Sequence, residues 1–180
     1  MDAVAVQSKV LTEKQFEIIK SIASLNYSRR AFHEYASEYF GLSIHTVGGH
    51  LLRARKGLRV TDTPSLIICL VSGEALSLDE LVAEKEDELK GAFAELRPYE
   101  KRFLQEMYQR ALETGAVCSK ILAPQLHIST QNLKNKISAT YLKLRPLCVT
   151  NCCQLSTVAC AYVAWYGDGV IAKPKQPESF

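Results

Sequence analysis

The chain has 180 residues, of which 47% are hydrophobic and 23% are charged, and its formal net charge is +3. These values are typical of one globular domain or two small ones, and they exclude global disorder. No apolar span of about 20 residues and no signal-peptide pattern occurs, so we expect no membrane partner. The six cysteines form no CxxC pair, which favours reduced thiols in a cytoplasmic protein.

The charged residues are distributed unevenly along the chain. Residues 1–72 contain nine Lys or Arg and six Asp or Glu, residues 73–96 contain two and eight, and residues 97–180 contain eleven and five. Two basic segments therefore flank an acidic connector. Basic segments favour polyanionic partners such as nucleic acid, although excesses of this size also occur on ordinary surfaces.

The first unit, residues 1–72, contains four predicted helices, because apolar residues recur at helical spacing after each of four start signals. In chain order, these signals are a capping box of Thr12 with Gln15, then Ser28, Ser43 and Thr63–Pro64. Gly41 marks the end of the second helix.

The fourth predicted helix is almost wholly apolar between positions 66 and 71. A surface helix normally has a polar stripe, so we expect this helix at an interface, and a homodimer is one possibility. The expected interface residues are Leu66, Ile67, Leu70 and Val71. The alternative is that the connector or the second unit covers this helix within one chain.

The connector, residues 73–95, begins with a second capping box, of Ser77 with Glu80. Apolar positions then recur at helical spacing as far as Leu96, while the other face is acidic. This pattern predicts one continuous acidic connector helix over 77–94, which packs back on the units or pairs with a second chain.

The second unit, residues 96–166, has the same order of predicted helices as the first. Its helices are expected after Pro98, around 121–126, after Ser129 and after Asn151. Buried positions and caps align at an offset of 86 residues, which pairs Ser43 with Ser129, Val47 with Leu133, Leu51 with Ile137 and Leu58 with Leu144. A repeated pattern of this kind predicts two copies of one fold. Residues 167–180 are expected to form a flexible tail.

Two stretches of the first unit resemble the LuxR-type (GerE-type) helix-turn-helix family: Ser43-Ile44-His45-Thr46-Val47-Gly48-Gly49-His50-Leu51, and Leu58-Arg59-Val60-Thr61-Asp62. In the second unit, the stretch from Leu126 to Ile137 is similar. The resemblance implies an all-α protein of two tandem four-helix helix-turn-helix units. It also implies a transcription regulator whose partner is double-stranded DNA and whose third helices enter the major groove.

The resemblance places base-reading positions on the third helix of each unit. In the second unit these positions hold Lys134, Asn135 and Ser138, whose side chains can contact base edges. Further polar residues there that can contact phosphate are Thr130, Gln131, Lys136 and Lys143. The alternative is that this surface is the ordinary polar face of a packed helix.

In the first unit the same base-reading positions hold Gly48, Gly49 and Leu52, which cannot donate to a base. The candidate DNA-backbone residues there are His45, Thr46, His50, Arg53, Arg55 and Lys56. The basic residues among them also suit a solvated helix end, where the helix dipole favours positive charge. We therefore expect the second unit to read bases and the first to grip the DNA backbone or a partner.

The sequence contains no pattern typical of an enzyme, a metal site or a cofactor site. Cys148, Cys152, Cys153 and His127 lack the usual ligand spacing, and no Gly-rich phosphate loop occurs. Two functions remain open. One is a DNA-binding transcription regulator, and the other is an interaction module that uses the same fold to bind another regulator or RNA polymerase.

Overall fold

The computed structural model describes residues 11–25 and 32–167, and within these ranges it contains α-helices, short 3-10 turns and no β-strand. The predicted all-α class is therefore confirmed. The α-helices are α1 Glu13–Ala23, α2 Phe32–Phe40, α3 Ile44–Gly57, α4 Thr63–Ser72, α5 Leu78–Val82, α6 Glu86–Glu95, α7 Pro98–Thr114, α8 Ser119–Gln125, α9 Thr130–Leu144 and α10 Cys152–Tyr166. The expected cap at Ser28 and the tail from residue 168 onward lie outside the described residues.

Local capping chemistry begins several of these helices. The predicted capping box is present at α1, where the Thr12 N–H donates to Gln15 Oε1 across 2.8 Å. Ser43 and Ser129 cap α3 and α9, and each hydroxyl accepts from a backbone N–H at 3.1 Å. At α4 the expected cap was wrong by one residue. The carboxylate of Asp62, rather than the Thr63 hydroxyl, accepts from the Ser65 N–H at 2.8 Å.

The predicted continuous connector helix was wrong, because the chain breaks between α5 and α6. A short 3-10 turn over Ala83–Lys85 separates them, and Ala83 has a φ of +47°. The break lets the two helices bury different residues in different places. Leu81 packs in the hydrophobic cluster of residues 18–81, whereas Leu89 packs in the cluster formed mainly by residues 82–162.

Helix α10 lies at the centre of the molecule. It packs against α4 and α7 over most of its length, and it also contacts α1 and α5. Every residue from Cys153 to Tyr162 is buried. Two of its polar side chains bond to the end of α1, because the Gln154 amide donates to Ser24 O at 3.2 Å and the Thr157 hydroxyl donates to Ala23 O at 2.7 Å. These bonds satisfy carbonyls that a helix end leaves open.

The same packing corrects the expected interface on α4. Leu66, Ile67 and Leu70 are completely buried, and Val71 is half-buried. Helices α7 and α10 of the same chain cover this helix, so the three buried side chains cannot face a second chain without local unfolding. The alternative of coverage within one chain therefore holds for these residues.

Within the described residues, no single helix is long and apolar enough to cross a membrane. Residues 130–147 and 152–166 are long and apolar enough only when taken together, and a bend of 82° separates them.

Candidate nucleic-acid interface

Two turns of the same geometry place α3 and α9. In the first, Gly41 has a φ of +62° and the Leu42 N–H donates to Ser37 O at 3.0 Å. In the second, His127 has a φ of +54° and the Ile128 N–H donates to Ala123 O at 3.1 Å. Donors and acceptors correspond at the offset of 86 residues. The pairs α2–α3 and α8–α9 are therefore joined by equivalent short turns, as in helix-turn-helix motifs.

Gly41 could be predicted from the sequence as the end of a helix, whereas His127 could not. Glycine in a sequence indicates a left-handed backbone conformation because it has no Cβ. A histidine at the same position indicates that conformation only weakly. The 86-residue offset was the signal that could have found it.

The exits from α3 and α9 also correspond. Arg59 and Cys148 have φ values of +55° and +61°, and each precedes a buried valine. The chain then enters α4 and α10 through the caps Asp62 and Asn151, whose side chains accept from backbone N–H groups.

The outer face of α9 is polar and open to solvent over residues 130–138. Its exposed residues include five candidate DNA contacts, namely Thr130, Gln131, Lys134, Asn135 and Ser138. The Gln131 amide donates to Asn135 Oδ1 at 3.2 Å, and the Ser138 hydroxyl donates to Lys134 O at 3.1 Å. On the opposite face, Leu133 and Leu144 are buried. The helix thus presents polar side chains to solvent while its inner face packs in the core.

Two further candidates on α9 are engaged within the chain. Lys136 Nζ lies 3.7 Å from the centre of the Tyr99 ring, and Lys143 Nζ lies 2.6 Å from Glu100 Oε2. Both partners belong to the first turn of α7. These contacts join α9 to the start of α7, while both lysine side chains remain partly exposed.

Glu100 is a buried carboxylate, with 1% of its surface exposed. It accepts from Lys143, from the Arg97 N–H at 2.7 Å and from the Tyr99 hydroxyl at 3.1 Å. Burial by itself raises the pKa of Glu100, but these hydrogen bonds, the one from Lys143 first, lower that pKa below its usual value. The ionised carboxylate is thus the form that fixes α9.

The candidate residues on α3 fall into two groups. His45, Thr46, Arg53 and Lys56 are exposed, whereas His50 and Arg55 are half-buried. Burial, together with the charges of Arg53 and Lys14, lowers the pKa of His50. His50 is therefore neutral near pH 7 and adds no positive charge there. Arg55 donates through Nη1 to Thr61 O at 3.0 Å.

The surface of α3 that corresponds to the exposed polar row of α9 lacks polar side chains at its centre. Gly48 and Gly49 are half-buried, and Leu52 is exposed. Beside them is a pocket of about 310 Å³ between α3, the start of α4 and the start of α10. Its lining residues are Gly48, Leu51, Arg55, Asp62, Thr63, Pro64 and Cys152.

No three His, Cys, Asp or Glu side chains in residues 11–25 and 32–167 come together in a way that could hold a metal ion. Comparisons of the chain with protein-family models, with curated proteins and with solved structures gave no match.

Proposed function

We propose that this protein is a DNA-binding transcription regulator of two tandem helix-turn-helix units, and that α9 reads bases in the major groove. The units are residues 1–72 and 96–166, separated by the connector. The equivalent turns at Gly41 and His127, the equivalent exits at Arg59 and Cys148, and the resemblance of residues 43–62 to the LuxR-type family support this arrangement.

The exposed row on α9 is the observation that carries the proposal. Lysine donates to guanine O6 and N7, and asparagine pairs with adenine N6 and N7. The serine hydroxyl can hydrogen-bond to more than one kind of base. Lys134, Asn135 and Ser138 supply these three side chains on one solvent-facing surface. The ion pair of the buried Glu100 with the partly exposed Lys143 holds that surface in one orientation.

The helix α3 has a subordinate role in DNA binding under this proposal. Arg53 and Lys56 are exposed cations that can contact phosphates without reading sequence. Because α4 is covered within the chain, the two units of one molecule take the place of the two subunits of a homodimer. The free cysteines in the described residues fit a cytoplasmic location for this activity.

The second candidate function is a protein-interaction module. The apolar centre of α3 favours it, because glycine and leucine at the base-reading positions offer no donor or acceptor to a base. RNA polymerase or another regulator would be the partner.

Selection from a pool of randomised duplexes, followed by salt titration of the recovered sites, tests the leading proposal. We expect enrichment of a defined site whose affinity falls steeply with salt, as phosphate contacts require. Recovery of no preferred sequence, with equal affinity for every duplex, would contradict base reading by α9.

A further inference from the structure

An apolar row runs along the outer side of α3. Ile44 and Leu52 are 46% and 44% exposed, and Gly48 lies between them, one helical turn from each. The positions 86 residues later on α9 hold Thr130, Lys134 and Ser138, which are all polar. The two equivalent surfaces therefore differ in chemistry at every position of the row, which indicates different ligands.

Nothing inside the chain requires glycine at position 48. Its backbone is helical, and a Cβ built there meets no atom within 4 Å. Alanine is a much better helix former than glycine, so internal stability does not account for the choice. The missing side chain instead leaves a shallow depression between Ile44 and Leu52, into which a ligand can approach the backbone closely.

The pocket of about 310 Å³ opens beside this row. Leu51 and Pro64 give it apolar walls, Arg55 gives it a cationic group, and the Asp62 carboxylate, which accepts from the Ser65 and Val117 N–H groups, also lines it. The Nε atom of Arg55 is buried and has no hydrogen-bond partner among the described residues, although Nη1 is engaged. Because this atom is not accessible from outside, a ligand in the pocket meets the charge of Arg55 rather than this N–H group.

The surroundings of the row are basic. Helix α3 contains no acidic residue, and Arg53, Arg55 and Lys56 lie in its last two turns. Lys14 of α1 lies close enough to His50 for its charge to act on that imidazole. An apolar row with a basic rim is complementary to an apolar surface with an acidic rim.

We propose that the row Ile44–Gly48–Leu52 and the adjoining pocket bind an acidic amphipathic helix of another protein. One apolar side chain of that helix enters the pocket, and its acidic residues lie beside the exposed cations Arg53 and Lys56. This is helix-in-groove recognition with anchors at i and i+4 spacing. The inference goes beyond DNA binding and holds whether or not α9 reads bases.

Two other occupants fit the row less well. The DNA backbone has no apolar surface that would cover Ile44 and Leu52. A second copy of this chain offers the acidic connector, but the exposed large apolar side chains of the described residues do not include any from 73–95.

Fluorescence anisotropy with two synthetic helical peptides tests the proposal. Each peptide has about 18 residues with leucine and alanine on one face, and the other face is glutamate in one peptide and lysine in the second. We expect the full chain to bind the glutamate peptide at least about tenfold more tightly than the lysine peptide. Equal affinity for the two peptides, or no binding of the glutamate peptide at high micromolar concentration, would overturn the proposal.

Three variants locate the binding surface. Leu52→Asp and Gly48→Gln should each weaken binding of the glutamate peptide about tenfold, because the first removes an anchor and the second fills the depression. Leu142→Asp is the matched control, since Leu142 is an exposed leucine on α9, and its affinity should stay unchanged.

Circular dichroism checks that Gly48→Gln remains folded. We expect that it does, because a Cβ at position 48 meets no atom within 4 Å. An equal loss of peptide binding in Leu142→Asp would overturn the assignment to α3. Loss of affinity for a random-sequence duplex in Leu52→Asp and Gly48→Gln, with unchanged peptide binding, would make this row a DNA contact instead.

Discussion

Lys143 and Glu100 are separated by 43 residues in the chain, yet Lys143 Nζ lies 2.6 Å from Glu100 Oε2. The pair joins the last turn of α9 to the first turn of α7, and the Glu100 carboxylate is buried. Glu100 also closes the capping box of α7 through the Arg97 N–H. One side chain thus begins a core helix and orients the proposed reading helix.

The first prediction concerns this carboxylate. Glu100→Gln keeps an acceptor for the Arg97 N–H but removes the charge that pairs with Lys143, so we expect it to lower the free energy of unfolding by about 1–3 kcal/mol at pH 7. Urea denaturation of both proteins measures the difference. The control is Glu113→Gln, which affects an exposed ion pair with Arg110 and should change stability by less than about 1 kcal/mol.

The effect of Glu100→Gln should depend on pH in a defined direction. The folded protein lowers the pKa of Glu100, so the ionised carboxylate stabilises the fold above the pKa that this group has in the unfolded chain. That contribution is lost as the pH falls through the folded pKa. The difference between wild type and Glu100→Gln should therefore shrink in acid, and a difference that stays constant from pH 7 to pH 2 would contradict the assignment.

The second prediction concerns the two left-handed turn residues. His127→Gly should raise the free energy of unfolding by about 0.5–1 kcal/mol, because glycine adopts a positive φ without the steric penalty of a Cβ. Gly41→Ala should lower it by about 1–2 kcal/mol for the same reason. Thermal unfolding measures the stability of these two variants and of two reference variants, His127→Ala and Gly41→Asn. Destabilisation by His127→Gly would show that the two turns are not equivalent.

The starts of α3 and α9 could be predicted from sequence because side-chain capping is local. The hydroxyls of Ser43 and Ser129 bond to N–H groups three residues away, so the sequence window contains both partners. The break at Ala83 is different. Apolar spacing runs without interruption through the connector, and the bend follows only from two separate clusters, one of which contains Leu81 and the other Leu89.

The roles of the lysines on α9 were beyond sequence analysis for a similar reason. Helical spacing predicts which face a residue occupies, but it does not identify a partner on another helix. Lys134 and Lys143 occupy polar positions of the same predicted helix. In the structure Lys134 is exposed, whereas Lys143 bonds to Glu100. The contacts of α4 with α7 and α10 are equally long-range, so sequence alone left an interface and a core as open alternatives.

The third prediction concerns α4. Because Ile67 is completely buried within one chain, Ile67→Asp places an unpaired charge in the core and should unfold the protein rather than dissociate a dimer. Sedimentation velocity should show that the wild type is a monomer at micromolar concentration, and circular dichroism should show loss of helix in the variant. A wild-type dimer that becomes a fully helical monomer on Ile67→Asp would restore the interface.

The fourth prediction concerns Gly115, which is a useful contrast to Gly48. Gly115 has a φ of +67°, and a Cβ there would lie 3.2 Å from Arg59 O. We expect Gly115→Ala to lower the free energy of unfolding by about 1–3 kcal/mol. Gly48→Ala should raise it by up to about 1 kcal/mol, since the added methyl group meets nothing. Urea denaturation distinguishes these opposite effects, and a loss of stability in Gly48→Ala would contradict the open surface described for α3.

Base reading by α9 is tested most directly by the affinity of the double variant Lys134→Ala/Asn135→Ala for a selected duplex and for a scrambled duplex of the same length. Both side chains are exposed, so the variant should fold like the wild type. We expect it to lose about 1–3 kcal/mol per residue on the selected duplex and to bind the scrambled duplex with nearly unchanged affinity. A variant that discriminates the two duplexes as well as the wild type does would show that α9 is not the reading helix.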